Sequence, residues 1–543
     1  MKNSTNQKTA YKVDNAIILA AGFGSRAIPL TYETPKGLLE VFGQPMIERQ
    51  IEQLLEVGVT EIYVIVGYMK ETFDYLIDKY GVKLIFNPEF AVKNNLASLY
   101  VAKDYLKNSY VLVSDNYIEE NMFHAYEPCS WFSCLYYEGE SAEWCIKHDE
   151  TDRITEITIG GADALAVVGP AFFTDSFSEL FNEYLEEYYN RLGTEDFYFE
   201  HILKDHIDTL EMYTNVQTGN MHEFESLAEL REYDKTYLNE TNNKIMEYIS
   251  KLNGVPQSEI HDIEQLKDGV TNQSFIFAIK DEYFVFRLPG TGTDKLINRS
   301  DEMKAYNLLS ELDITDEVVD FDEESGIKIT KYYDHARIAD PYDIQDLDTS
   351  MKKIKIVHDQ NFIVDNYFDI GSKIDYYQSL ADGIGAIRFS DIADVKKKVS
   401  KLLEIKDRLA IPEILCHGDY AHTNVLFLKD GSCRLIDFEY SGAADPIMDV
   451  SMFCIYIQFE REYIEKAIRL YLDTEPTREE LARLYLYVAL GGFLWCMWAE
   501  YKQGLGQEFG EYPLIMYRYM KDYYKILVDE GYIKEIMGDD FEI

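Results

Sequence analysis

Two folded units are predicted, the first α/β on a mostly parallel sheet, the second α+β and chiefly helical beyond about residue 340. Three observations carry this. Short apolar runs alternate with helical periods from Asn15 to Asn116, a polar stretch at 232–244 (EYDKTYLNETNNK) breaks that patterning, and a strand pair at 274–287 opens a different one. At ~100–200 residues per domain, a chain of 543 residues holds two or three hydrophobic cores. No internal repeat relates the halves.

Residues 1–13 form a polar tail without the apolar core of a signal peptide. The first domain is placed at 14–235. Its strands are read at AIILAAG, EIYVIVG, VKLIF and YVLVSDN. Between them come a helix from Pro45, with Met46, Ile47, Ile51, Leu54 and Leu55 inward, a helical stretch Met69–Tyr80, and a helix through Leu96–Leu106. Residues 236–250 are read as a linker because they lack a sustained apolar face. The second domain, 251–543, starts with a hairpin, SFIFAIKDEYFVFR, turning at Lys280–Glu282. A helix carrying Glu302, Tyr306, Leu308 and Leu309 follows, and NVLFL and RLIDF interrupt the later helices as strands.

Hydrophobic residues make up 47% and aromatics 14%, which excludes global disorder. The net charge of −45 divides evenly, −22 over residues 1–235 and −23 over the remainder. Both halves are therefore acidic, and such a field repels nucleic acid while attracting a small cation. Seven cysteines form no C-x-x-C pair, so neither a zinc site nor a disulfide framework is indicated, and a reducing cytoplasm fits. The longest uncharged run, the 16 residues between Arg483 and Glu500, falls short of the ~20 that span a bilayer.

In the first domain, LAAGFGSRAIPLTYETPK (Leu19–Lys36) follows a buried strand. Gly22 and Gly24 allow a tight turn with N–H groups facing phosphate, and Arg26 and Lys36 add cations. Alone, G-x-G fits an ordinary strand-to-helix turn equally well, and Ala27 stands where a dinucleotide fingerprint has its third glycine. The whole string, however, resembles the signature LAAGxGxRxxPLTxxxPK of nucleotidyltransferases that activate sugars or amino alcohols. With NNLASLY (94–100), VSDN (113–116) and AEW (142–144), residues 14–230 resemble bacterial CTP:phosphocholine cytidylyltransferases.

That resemblance implies a Rossmann-like nucleotidyltransferase fold, with Ala21, Gly22, Gly24, Arg26, Lys36, Asn95 and Ser98 at the nucleotide and Lys36 catalytic. It implies Asp115 on Mg²⁺. Where the family usually has a second aspartate, HEFES offers Glu225. Trp144 is either a cation–π partner for a trimethylammonium group or plain core.

In the second domain, HGDYAHTNVLFLKDGSCRLIDFEYSG (417–442) places Asp419, Asn424 and Asp437 at the spacing of a kinase catalytic loop and metal aspartate. Asp419 would accept the substrate hydroxyl proton, while Asn424 and Asp437 would hold Mg²⁺ on ATP phosphates. Upstream, GVTNQSF (269–275) suits a phosphate-covering loop, and Arg287 occupies the position of the strand cation that meets the α/β-phosphates. Glu302 is its ion-pair partner. FVFRLPG resembles choline and ethanolamine kinases, and residues 255–543 share that likeness.

The kinase resemblance implies a two-lobed protein-kinase-like fold of the choline kinase and aminoglycoside phosphotransferase type. It puts Glu439 at the acceptor pocket and Trp495 and Trp498 on its aromatic wall, although two rings three apart also suit helix packing. Asp445 and Asp449 are read as structural. A bifunctional enzyme follows: choline plus ATP gives phosphocholine, which with CTP gives CDP-choline and pyrophosphate. The alternatives are ethanolamine or another amino alcohol, or a regulatory nucleotide-binding protein. The last would need losses at Lys36, Asp419, Asn424 or Asp437, and none is seen.

Overall fold

The computed structural model describes residues 10–266, 272–290, 298–507 and 509–538. The chain divides into one unit, Met1–Leu266 with Phe275–Glu282, and a second, Lys267–Ser274 with Tyr283–Ile543.

The first unit is built on a seven-stranded sheet in the order Tyr213–Val216, Trp131–His148, Ile154–Phe173, Ser109–Val113, Asn15–Ala20, Ile62–Val66, Lys83–Phe86. The last four strands are parallel. Asn15–Ala20 is buried along its whole length, which is why it reads as a continuous apolar run. Its alternate residues serve different layers. Ala16, Ile18 and Ala20 pack with Ile47, Ile51 and Leu54 of the helix Met46–Glu56, while Ile17 and Leu19 pack with Leu96 and Leu99 of the helix Asn95–Val101.

Sequence patterning gave no hint of the long antiparallel hairpin Trp131–His148/Ile154–Phe173. Its middle is exposed and glycine-bearing, with register shifts, so it lacks both the apolar run and the strict alternation by which strands are recognised. Within the stretch placed as an N-terminal tail, Tyr11–Lys12 pairs with Tyr126–Glu127.

Residues 236–250, expected as a linker, are folded. Lys244–Asn253 is a helix with Ile245, Met246 and Ile249 buried. The polar residues that suggested a linker act as caps. Asn243 accepts from the Met246 N–H (2.9 Å) and donates to the Pro29 carbonyl (3.2 Å), and Glu33 accepts from the N–H groups of Lys244 and Ile245 at 3.0 and 3.1 Å.

In the second unit, Glu282–Pro289 pairs antiparallel with Lys328–Lys331, which pairs with Val318–Phe321; the helix Arg299–Leu309 lies between these strands in sequence. One large core then unites the later helices, among them Ile344–Asp359, Ile447–Ile457, Arg478–Gly504 and Tyr512–Asp529. Arg478–Gly504 starts at a Thr477/Glu480 capping box. By length and composition it could cross a membrane, but 78% of its most apolar window is buried inside the protein. Ile414–Cys416 pairs with Gly442–Ala444, drawing the loops that begin at His417 and end at Ser441 to one place.

Candidate active sites

Asn15–Ala20 and Ser109–Val113 are parallel neighbours, so the segments leaving their carboxyl ends emerge side by side, where open α/β sheets bind ligands. The first segment carries Gly24 in the left-handed region (φ 71°), with Thr31 Oγ1 donating to its carbonyl at 3.1 Å. The second carries Asp115. Lys36 Nζ lies 2.6 Å from Asp115 Oδ2 and 3.7 Å from Glu223 Oε1. Gly37 is pressed against the second segment: a Cβ there would stand 2.5 Å from Ser114 Oγ. At Gly22, by contrast, a Cβ would meet nothing within 4 Å.

Burial opposes the charge on Lys36, but Asp115 and Glu223 together outweigh it and raise the ammonium's pKa. Although the Glu223 side chain keeps 37% exposure, partial loss of water around it, then the neighbouring Asp115 charge, push its carboxyl up to about 7. Glu225, the carboxylate anticipated from sequence, pairs instead with Arg26. Glu223, two residues earlier on the strand Met221–Glu223, is the one beside Lys36. Positions two apart would share a face if the strand continued, but it ends at Glu223, so Glu225 is free to point another way. The donor set suits a hard divalent cation: three carboxylates (Asp115, Glu223, Glu225) face two cations (Lys36, Arg26), all ligands being oxygen.

Three further sequence candidates, Ser98, Asn95 and Trp144, make no direct contact with Lys36 or Asp115 among the described residues. Ser98 Oγ accepts from Asn87 Nδ2 (3.1 Å), and Asn95 Oδ1 accepts from the Phe199 N–H (2.9 Å). Trp144 is half-buried, edge-on to His201 (4.7 Å) and Tyr198 (6.4 Å). A cavity of about 440 Å³ borders Glu223, with Asn116, Tyr137, Phe224 and Tyr233 also on its wall.

In the second unit, Arg287 sits on the strand Glu282–Pro289 with its fork between Glu302 Oε2 (2.8 Å) and Asp437 Oδ1 (3.0 Å). Burial disfavours the Arg287 charge, but Glu302 and Asp437 raise its pKa. Burial likewise opposes ionisation of Glu302, yet Lys328 and Arg287 hold its carboxyl below the usual range. Asn424 Nδ2 donates to the Asp419 carbonyl (2.9 Å), tying the two ends of the catalytic-type loop. Asp449 accepts from the N–H groups of His417 (2.7 Å) and Gly418 (2.9 Å), so its structural reading acquires a purpose: it anchors this loop. Asp437 itself has a left-handed backbone (φ 69°), a conformation of order 1–3 kcal/mol unfavourable for a non-glycine residue that recurs at functional sites.

Asp419 is half-buried, and its withdrawal from water raises its pKa, while the Tyr456 hydroxyl donating to it works the other way. Tyr456 packs on Trp495 (5.3 Å between centroids), and Trp495 meets Trp498 edge-on (5.8 Å, 80°). An aromatic wall thus starts at the Asp419 carboxylate. Glu439, expected at the acceptor pocket, is buried 3.2 Å from Arg299 and 3.8 Å from Arg287, and Asn272 Nδ2 approaches it at 3.3 Å. The three-residue turn Phe438–Tyr440 aims the Glu439 side chain at these cations. Burial and the Asp437 charge push it up to about 7. Of the predicted phosphate-covering loop, residues 269–271 lie outside the described residues.

Sequence reasoning missed Glu223, Arg299, Lys328 and Tyr456. Lys328 left a trace, a lysine at an inward position of the strand KITK; Tyr456, inside an apolar helix, left none. Here too carboxylates outnumber cations, Glu302, Asp316, Asp437 and Glu439 against Arg287, Arg299 and Lys328. Asp437 and the Asn424 amide are oxygen donors fit for Mg²⁺.

The two sites define a nucleotidyltransferase fused to a kinase-fold phosphotransferase. A profile described as MobA-like NTP transferase domain matches residues 16–115, and one described as choline/ethanolamine kinase matches 263–487. The choline-phosphate cytidylyltransferase of Streptococcus pneumoniae is 38% identical over 226 residues, 41% of this chain and 99% of the relative. The 2-aminoethylphosphonate cytidylyltransferase of Lancefieldella rimae is 34% identical over 243 residues, 44% and 97%. The crystal structure of choline kinase LicA from Streptococcus pneumoniae is 27% identical and covers 52% of this chain and 98% of that one, with a TM-score of 0.45. The chain belongs to the cytidylyltransferase family over its first half and carries a choline/ethanolamine kinase domain in its second; both domains are of enzyme families.

Proposed function

We propose that the protein phosphorylates choline with ATP in its second domain and, in its first, transfers CMP from CTP to the phosphocholine, releasing pyrophosphate. The observation that carries the head-group assignment is the aromatic wall Tyr456–Trp495–Trp498 beginning at Asp419. A trimethylammonium group has no N–H donor and gains mainly from ring faces, whereas a primary ammonium wants directed acceptors.

In the kinase half, Asp419 accepts the hydroxyl proton as the choline oxygen attacks the γ-phosphorus and ADP leaves. Arg287, held by Glu302, meets the nucleotide phosphates, and Asn424 and Asp437 would hold Mg²⁺. In the other half, a phosphate oxygen of phosphocholine attacks the α-phosphorus of CTP. Lys36 and Arg26 exchange their carboxylate partners for the triphosphate, and Asp115 with Glu223 or Glu225 would hold Mg²⁺. When bound, Mg²⁺ supplies the positive charge that offsets repulsion between anionic reactants.

A relative's name points to 2-aminoethylphosphonate, but a phosphonate has no alcohol for a kinase to phosphorylate, so the fused kinase domain favours a phosphomonoester. The test is incubation with ATP, CTP, Mg²⁺ and an equimolar mixture of choline, ethanolamine and 2-aminoethylphosphonate, with mass analysis of products. CDP-choline as the main product supports the reading; CDP-ethanolamine or the cytidylylated phosphonate overturns the head-group assignment.

A further inference from the structure

Lys373 is a cation among the groups that surround Asp419, and neither chemical step above uses it. It lies on the helix Ile370–Gly383, with its Nζ over two rings at once, 4.8 Å from the centroid of Phe368 and 5.0 Å from that of Tyr440. The Phe368 ring and the Tyr440 backbone abut the catalytic-type loop: a Cβ on Gly418 would stand 2.9 Å from Phe368 Cδ2 and 2.2 Å from the Tyr440 carbonyl oxygen. Asp419 is the next residue. Among the described residues Lys373 makes no ion pair, in a protein where acidic side chains outnumber basic ones 97 to 52. Asp419 and Asp369 act on it only through space, and burial lowers its pKa.

A fixed ammonium is an odd neighbour for a cationic alcohol, since it repels choline. It becomes useful when the alcohol oxygen gains a phosphoryl group. We propose that Lys373 is the phosphate-binding residue of the acceptor side: it donates to the phosphoryl oxygens as they arrive on choline, and so holds the phosphomonoester product. As the choline oxygen–phosphorus bond forms, the γ-phosphorus–oxygen bond to ADP breaks and the hydroxyl proton goes to Asp419. Lys373 stays protonated and exchanges the faces of Phe368 and Tyr440 for a charge-assisted hydrogen bond. This deepens the choline kinase reading and rests on it.

The test measures inhibition of the kinase reaction by phosphocholine, without CTP, in the full chain and in Lys373→Met and Lys373→Arg. In Lys373→Met the inhibition constant should rise about tenfold, with the KM values for choline and ATP within about twofold of wild type. Lys373→Arg should recover most of the loss. An unchanged inhibition constant in a folded Lys373→Met protein overturns the proposal, as does a parallel rise in the choline KM, the mark of a merely structural role. Should that variant not fold, Lys373→Gln reads the same constant. Failure of the underlying reading shows separately, in wild type alone, as absence of ATP-dependent choline phosphorylation.

Discussion

Around Lys36, a single ammonium spans Asp115 and Glu223 at the rim of a sheet, whereas around Arg287 three cations and four carboxylates interlock in a buried cluster. An ammonium is a point charge on a flexible stem and re-pairs readily. A guanidinium fork held by two carboxylates is committed to one orientation. The cytidylyltransferase site must therefore reorganise when CTP arrives, while the kinase site is assembled beforehand. Mutations should accordingly be felt in turnover at the first site and in both turnover and folding at the second.

The largest effect should come from removing the central groups. Asp419→Asn should cut choline phosphorylation by ~10²–10⁴-fold and leave conversion of supplied phosphocholine to CDP-choline intact. Lys36→Ala should do the reverse, by ~10²–10³-fold. Separate assays of the two half-reactions decide, and loss of both activities in one folded variant would break the two-site comparison.

Glu302→Gln tests the interlocked cluster. It leaves buried Arg287 with Asp437 but without the Glu302 charge, an upper bound of about 3–5 kcal/mol being the cost when a buried pair is fully broken. Chemical denaturation followed by kinase and cytidylyltransferase activity should show the kinase lost first. A coincident loss, or no change in stability, contradicts preassembly.

A smaller effect separates the sites by pH. The folded-state pKa of Glu223 is about 7, above the ordinary 4.5, so its neutral form favours the fold below about pH 4.5 and that contribution disappears as the pH rises through about 7. A metal needs the ionised form, so the Mg²⁺ concentration giving half-maximal cytidylyl transfer should fall across the same interval. In Glu223→Gln the curve should be flat. If Glu225→Gln flattens it and Glu223→Gln does not, the ligand is the residue read from sequence.

The smallest effect concerns the wall. Trp498→Ala should raise the choline KM by a factor equivalent to ~1–2 kcal/mol and change the ATP KM much less. Steady-state kinetics with each substrate varied would show it, and equal changes in both would return the ring to core packing.

Much of this was legible because chemistry imposes spacing. Lys36 follows its glycines within one loop, and Asp419, Asn424 and Asp437 fall on one short run whose strands are apolar. Three of the four parallel strands were equally plain, being buried on both faces. What stayed hidden lies in contacts between distant segments: Glu223 meets Lys36 across 187 positions of chain, and Tyr456 reaches Asp419 from a helix whose sequence reads as uniform core. The helix at 244–253 was missed for another reason: its first turn is secured by Asn243 and Glu33, side chains that look like loop residues until their partners are seen.

The contact of Gly37 with Ser114 has a consequence for how this enzyme can drift over generations. The loop bearing Lys36 rests on the segment bearing Asp115 with no space for one more carbon, since the added atom would sit 2.5 Å from Ser114 Oγ and 2.6 Å from its Cβ. Neither position is free to vary alone. In a saturation library every replacement of Gly37 should be purged in the parental background, and alanine should reappear among survivors only beside glycine at 114, so that the two sites are inherited as a pair.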